Sequence, residues 1–428
     1  MTKRQRQGWL TVASLFVTLF LIFGSGYNTA GVFVTPLIKE FGWKRAKISF
    51  LQSVLAASAG FGGPLAGWLL DRVEARRVMV IGAAVAGCAW LLASRAHSYP
   101  VLVVAYMLMG LGLTGATLLP AALIIANWFS GNRGTAMGIT FAGTSSGGAV
   151  MTFVAAAVIA HRGWRNAYVG LAIPMFIVVI PLVLWMIRTR PQDASQDASH
   201  RGDAPRPTGE KTSVSAIADS LPGFELSEAI RTRSFWMLCM AQFLFATVAA
   251  GAGLHLIPYL IGQGYKEEFA AGMMSVVFLF TTAGKLCMGV ASDRISARIA
   301  LVANFIGAAI GMVLIFGARN PLLLYPFVAM FGFTLGAPLV LIPLLTADSL
   351  GLKRFGAING VAGVWNTLGA FIGPVMLGQI FDVTGSYSNA FEICLALNIL
   401  GAAATLACLP FEAEQERSRA RVAATAAA

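Results

Sequence analysis

The sequence predicts an all-α membrane protein with twelve transmembrane helices in two six-helix, pseudo-symmetric halves. Three observations predict it. Only 12% of the 428 residues are charged while 57% are hydrophobic, whereas a soluble chain carries about 25% charged residues. The apolar residues gather in runs near the roughly 20 residues that cross about 30 Å of hydrocarbon as a helix. Finally, the chain repeats itself at a fixed offset of 222 residues.

The spans fall at 9–36, 49–70, 78–94, 100–127, 135–160, 166–187, 234–261, 269–291, 298–317, 321–346, 356–381 and 390–410. They are too long for the roughly ten-residue alternation of a membrane barrel, and backbone groups cannot stay unpaired in lipid, so they are helices. Lys3, Arg4 and Arg6 precede the first span, but its apolar run is too long for a signal peptide and no small-residue cleavage site follows. About two thirds of the lysines and arginines lie in segments on the side of the N-terminus, which places both termini in the cytoplasm. The net charge of +12 is then an expression of topology, and no nucleic-acid partner is expected. Cys88, Cys239, Cys287, Cys394 and Cys408 lie far apart in apolar runs. They form neither a zinc site nor a disulfide framework, and no metal or cofactor is expected.

Between spans 6 and 7 the composition turns polar and proline-rich. The domains read as an N-terminal half 1–188, a flexible cytoplasmic linker 189–232, a C-terminal half 233–411 and a cytoplasmic tail 412–428. Across the halves Gly67 matches Gly289, Asp71 matches Asp293, Arg72 matches Arg294, Arg76 matches Arg298, Gly134 matches Gly356 and Gly138 matches Gly360. Parallel halves of this kind are a transporter architecture.

The loop after span 2, Gly67-Trp68-Leu69-Leu70-Asp71-Arg72-Val73-Glu74-Ala75-Arg76-Arg77, resembles the GxLaDRxGRR signature of the major facilitator superfamily. Gly289-Val290-Ala291-Ser292-Asp293-Arg294 repeats its first part. Glu74 stands where that signature has glycine. Gly67 allows close helix approach, and Asp71 can cap the next helix or pair with arginines of the loop. Gly67, Asp71, Arg72, Arg76, Asp293 and Arg294 therefore read as a conformational latch, with simple anchoring of the inner surface as the competing reading.

Gly31-Val32-Phe33, Leu37, Glu40-Phe41-Gly42 and Trp128-Phe129-Ser130-Gly131-Asn132-Arg133-Gly134 with Ala136, Gly138 and Ala142-Gly143 resemble the monocarboxylate transporter family and its bacterial oxalate and formate antiporter relatives. The resemblance implies a twelve-helix carrier of a small organic anion. Where that family places an aromatic and a Lys in span 1, this chain has Gly24 and Asn28; where it places Asp and Arg in span 8, this chain has Thr281 and Lys285.

Symmetry separates scaffold from site independently of family. A polar residue within a span whose mate is apolar has no scaffold role. Lys285 faces Gly63 in the repeat, His255 faces Phe33, Asn28 faces Ala250, and Asn366 faces Thr144 as a weaker break. Lys285 leads, because a mid-span Lys costs about 2.5 to 3.5 kcal/mol on insertion scales and needs a partner. An anionic substrate could be that partner, with Thr281 one turn away to donate a hydrogen bond; a Lys snorkelling to the cytoplasmic surface is the alternative. His255 shares a face with Thr247, Gly251 and Tyr259 and reads either as a proton carrier or as a histidine bonded to a neighbouring helix. Asn28 and Asn366 read equally as ligand contacts or as glue between helices. Gly143-Thr144-Ser145-Ser146-Gly147-Gly148 lies mid-span with no following Lys and reads as close helix packing rather than a phosphate loop.

The expectation is a secondary transporter, functional as a monomer, that moves a small organic anion, with a monocarboxylate as first reading, coupled to a proton. Exchange of carboxylates is the alternative. Export of hydrophobic compounds would not need Lys285, and a transporter-like receptor for an organic acid is the reading from another class. An enzyme is not expected, for there is no nucleophile, base and orienter set. The absence of a glycosylation sequon suits a bacterial inner membrane.

Overall fold

The computed structural model describes residues 3–43, 45–129, 131–189 and 221–417. The membrane spans are α1 (Lys3–Phe23), α2 (Arg45–Arg72), α3 (Ala75–Ser94) and α4 (Tyr99–Trp128), then α5 and α6 (residues 133–162 and 164–186), then α7 (Arg233–Gly262), α8 (Glu267–Ile295), α9 (Ala297–Leu314), α10 (Pro321–Leu350), α11 (Phe355–Thr384) and α12 (Ser388–Leu406). Eleven helices among the described residues are long and apolar enough to span. The longest candidate has 54 residues, and Gly163, at φ 81° and ψ 164°, breaks it. A 54-residue helix would run about 80 Å, far beyond one bilayer. Arg165, just after the break, bonds Ala96 at one end of the bundle, while Arg188, past the end of α6, accepts from Trp128 at the other. The chain therefore crosses twice there.

Local chemistry sets the helix ends. Thr232 accepts the Phe235 amide at the start of α7, and Asn320 accepts the Leu322 amide ahead of the proline that opens α10. Gly42 closes the short helix Val34–Phe41 with φ 65°, a left-handed conformation that glycine adopts without strain. α4 and α10 are each interrupted midway, at Thr117 and Ala337.

Within each half, glycines let helices meet backbone to backbone. A Cβ at Gly147 would lie 2.1 Å from Phe20 O, bringing α5 onto α1, and one at Gly373 would lie 2.1 Å from Thr247 O, bringing α11 onto α7. Between the halves the same device operates twice. α2 crosses α11 with Gly67 against Gly356 and Gly63 against Gly360, and α5 crosses α8 with Gly134 against Gly289 and Gly138 against Lys285 O.

The face that carries the termini is tied by further contacts. Within the stretch read as linker, residues 190–220 lie outside the described residues, but the following segment folds back on the C-terminal half. Gly223 pairs with Gly351, and Glu225 binds Lys353 (3.1 Å) and Arg354 (2.9 Å). The start of the tail docks as well, with buried Glu414 accepting the Arg233 amide and the Ser234 hydroxyl at the first turn of α7. On the opposite, far face of the first half, Glu40 accepts from Trp164 and Arg165, and Phe41 stacks on Trp43. The motif after span 1 is thereby stapled to the α5–α6 corner.

Candidate functional site

α8 runs from the far face toward the termini face, and helical side chains lean toward the N-terminus of their helix. Lys285 therefore extends away from the termini face. It is 2% exposed, and its Nζ donates to Thr144 Oγ1 (2.6 Å) and to Ser145 Oγ, both on α5 of the other half. The snorkelling alternative is excluded by this direction and these partners. Among the described residues no carboxylate pairs with Lys285. Room for its stem comes from Gly336, beside the break in α10, where a Cβ would lie 2.1 Å from Thr281 O and 3.2 Å from Lys285 Cγ.

The other candidates are dispersed. Thr281 is buried one turn from Lys285, with its hydroxyl donating to Val277 O (2.9 Å). His255 is held within its own half. Its Nε2 lies 3.0 Å from Pro374 O, which can only accept, so that nitrogen carries the proton and Nδ1 faces the Tyr387 hydroxyl at 3.0 Å. Asn366 is half-buried on α11 and has no hydrogen-bond partner among the described residues. Asn28 ends a π-helical turn, Gly24–Asn28, and its side chain lies outside the described residues. Gly24 is pressed against Gly147, where a Cβ would lie 2.6 Å from the Gly147 carbonyl, so no larger residue fits there. No group of three His, Cys, Asp or Glu side chains converges among the described residues.

The residues that the sequence reads as a latch divide. Asp293, at the end of α8, accepts the amides of Gly134 (2.6 Å) and Thr135 (2.8 Å) and the Thr135 hydroxyl (2.6 Å), capping α5 of the first half. Asp71, at the end of α2, accepts the Ala357 amide (3.2 Å) at the start of α11 in the second half. Neither acid caps the next helix in sequence. Each instead caps a helix across the interface, where the positive end of the helix dipole meets the carboxylate. The arginines take other roles. Arg72 lies over the Trp68 ring at 4.2 Å, Arg294 is exposed, and neither Arg72, Arg76 nor Arg294 forms an ion pair with the two acids among the described residues.

The crossed pair of caps lies on helices related by the 222-residue repeat, and sequence comparison assigns the family. The model of the Major Facilitator Superfamily matches residues 15–374 and 243–426. The chain belongs to the Major Facilitator Superfamily. Monocarboxylate transporter 13 of Bos taurus is 24% identical over 401 residues, covering 92% of this chain and 87% of the relative. An uncharacterized MFS-type transporter of Bacillus subtilis, YcxA, is 22% identical over 419 residues, covering 96% and 97%. Among solved structures, the facilitator FucP in the outward conformation matches with a TM-score of 0.69 at 16% identity, covering 94% of this chain and 99% of that one. The human organic anion transporter MFSD10 matches with a TM-score of 0.69 at 13% identity, covering 95% and 100%. These two likenesses show the facilitator fold. The protein is thus a multi-pass membrane transporter of small molecules and not an enzyme.

Within this facilitator, sequence reasoning passed over Thr144 and Ser145. The hydroxyl-rich Gly143–Gly148 run carries their signal, and the sequence reading favours close helix packing there over a phosphate loop. Gly143 and Gly147 do pack on α1, while the hydroxyls between them serve Lys285.

Proposed function

We propose that this facilitator carries a small organic anion, a monocarboxylate, by alternating access, with Lys285 as the charge partner of the carboxylate. The observation that carries the reading is Lys285 itself, a buried cation at the interface of the halves whose protein partners are neutral hydroxyls. A cation inside a span marks a substrate pathway by default, and an anion completes a pair that the described side chains leave incomplete. The names of the relatives support the same class: monocarboxylate transporter 13 for one and organic anion transporter for MFSD10. With both termini in the cytoplasm of a bacterial inner membrane, the capped face is the cytoplasmic one, and the conformation is closed inward.

A carboxylate moving inward against the membrane potential works against about 2.3 kcal/mol per 100 mV, and a co-transported proton removes that cost. Uptake of labelled acetate, lactate and pyruvate into liposomes, with and without an inward proton gradient, tests the proposal. Stimulation by the gradient, abolished in Lys285→Gln and partly retained in Lys285→Arg, is expected. Normal uptake by the Gln variant refutes the role of Lys285, and acceleration only by internal carboxylate makes the carrier an exchanger. Binding of the acids without counterflow makes it a receptor.

A further inference from the structure

The Thr144 hydroxyl donates its proton to Phe141 O at 2.8 Å. A hydroxyl has one proton to give, so toward Lys285 Thr144 presents lone pairs only. Wired in this way it suits an ammonium and has nothing to offer a carboxylate. Ser145 accepts from the same Nζ. Both hydroxyls are held from behind, because Gly143 and Gly147 on either side seat the α5 backbone against Phe16 O and Phe20 O. Lys285 is held equally firmly, since Gly284 next to it meets Phe333 O of α10, where a Cβ would lie 1.9 Å away. The bonds join α5 of one half to α8 of the other, about 12 Å along α8 from the Asp293 cap on the same two helices.

We propose that Thr144 and Ser145 are a parking site for the Lys285 ammonium in the empty carrier, competing with the substrate anion rather than binding it. The inference rests on reading Lys285 as the partner of the anion. In the empty carrier the parked ammonium satisfies its donors and pins α5 to α8. An arriving carboxylate draws Nζ away and removes that pin, so occupancy of the site and freedom of the two halves change together. The hydroxyls thereby set affinity in the direction opposite to that of a ligand contact.

The test uses the full-length protein in nanodiscs, with equilibrium binding of labelled acetate, lactate and pyruvate to Thr144→Val, Ser145→Ala and the double variant. Losing a hydrogen bond to a charged group in the empty state should tighten binding by about tenfold, and Thr144→Ser, which keeps the hydroxyl, should restore the wild-type affinity. Weaker binding in Thr144→Val and Ser145→Ala overturns the proposal and makes the hydroxyls substrate ligands. A readout that needs no substrate is the distance between spin labels at Asn132→Cys and Ile295→Cys, flanking the α5–α8 crossing. With no anion present, the double variant should add a longer distance to the wild-type distribution, and an unchanged distribution overturns the parking site. If the wild type binds none of the three acids, the monocarboxylate reading fails, while the label distances still decide whether the hydroxyls pin the interface.

Discussion

Asp71 and Asp293, 222 residues apart, each take backbone N–H donation from the first turn of a helix in the opposite half, one amide for Asp71 and two for Asp293. The two contacts are repeat mates but not equals. Asp293 gathers three hydrogen bonds of 2.6 to 2.8 Å, and Asp71 holds the Ala357 amide at 3.2 Å. The α5–α8 crossing is therefore the tighter of the two closures.

That inequality predicts unequal variants. Hydrogen bonds to a charged group contribute about 1.5 to 3 kcal/mol each, so Asp293→Asn should shift the population toward an open termini face by more than tenfold. Asp71→Asn should shift it less. Spin-label distances across the termini face check the order, and equal shifts would contradict it. Both variants should slow turnover more than they weaken binding.

Gly67 gives a steric counterpart. A Cβ there would lie 2.1 Å from Gly356 O, closer than packed atoms come, so Gly67→Ala must separate α2 from α11. Alkylation of Ala357→Cys should rise in that background, and transport should fall. Gly131→Ala, with nothing within 4 Å of the added carbon, should change neither.

The clasp at Glu225 should be lost in acid. The hydrogen bond from Arg354, with Lys353 beside it, holds this carboxyl below the usual carboxylate range. A depressed value in the folded state contributes stability above the unfolded value of about 4.3, and that stability is lost as pH falls through the folded value. The three side chains are half-buried at the surface, where solvent screens the pairing, so its effect is local. Protection of residues 221–231 against hydrogen exchange, relative to the unstructured rate at each pH, should be high at neutral pH, fall as the pH drops through the lowered value of the Glu225 carboxyl, and be low throughout in Glu225→Gln. Exchange in that variant matching wild type would show that the Gly223 bridge suffices alone.

His255 should behave as a brace. With Nε2 bonded to Pro374 O and Nδ1 facing Tyr387, His255→Phe removes two hydrogen bonds of about 1 kcal/mol each, and Tyr387→Phe removes one. The melting temperature should fall in that order. His255→Gln should keep most of the uptake, whereas Lys285→Gln should not.

Spans, repeat and the two interface acids are legible because each is written locally, in hydropathy, in offset identities, or in an acid after a glycine at a helix end. What lay beyond the sequence was the choice of partner across the interface. Thr144 and Ser145 are not singled out by the symmetry test because their mates, Asn366 and Thr367, are polar as well, which leaves a weak break at the first pair and none at the second. The tertiary register of α5 on α8 selects them. Arg72 meets a partner on its own helix instead. Trp68, one turn back on the same helix, offers it a ring face that a loop-level reading does not weigh. The end of the linker folds because Phe224 finds Phe411 and Glu225 finds Arg354, partners far away in sequence.

The crossed caps also bear on how the chain is assembled. Inserted from its N-terminus, the protein completes α1 to α6 before α8 exists, and the first amides of α5 wait for Asp293. Asp71, in contrast, is in place long before α11 arrives to receive it. An isolated first half thus has an uncapped helix and an idle carboxylate, and an isolated second half has the same two defects reversed. Synthesised as separate polypeptides, the two pieces are unfinished in complementary ways, and each supplies what the other lacks.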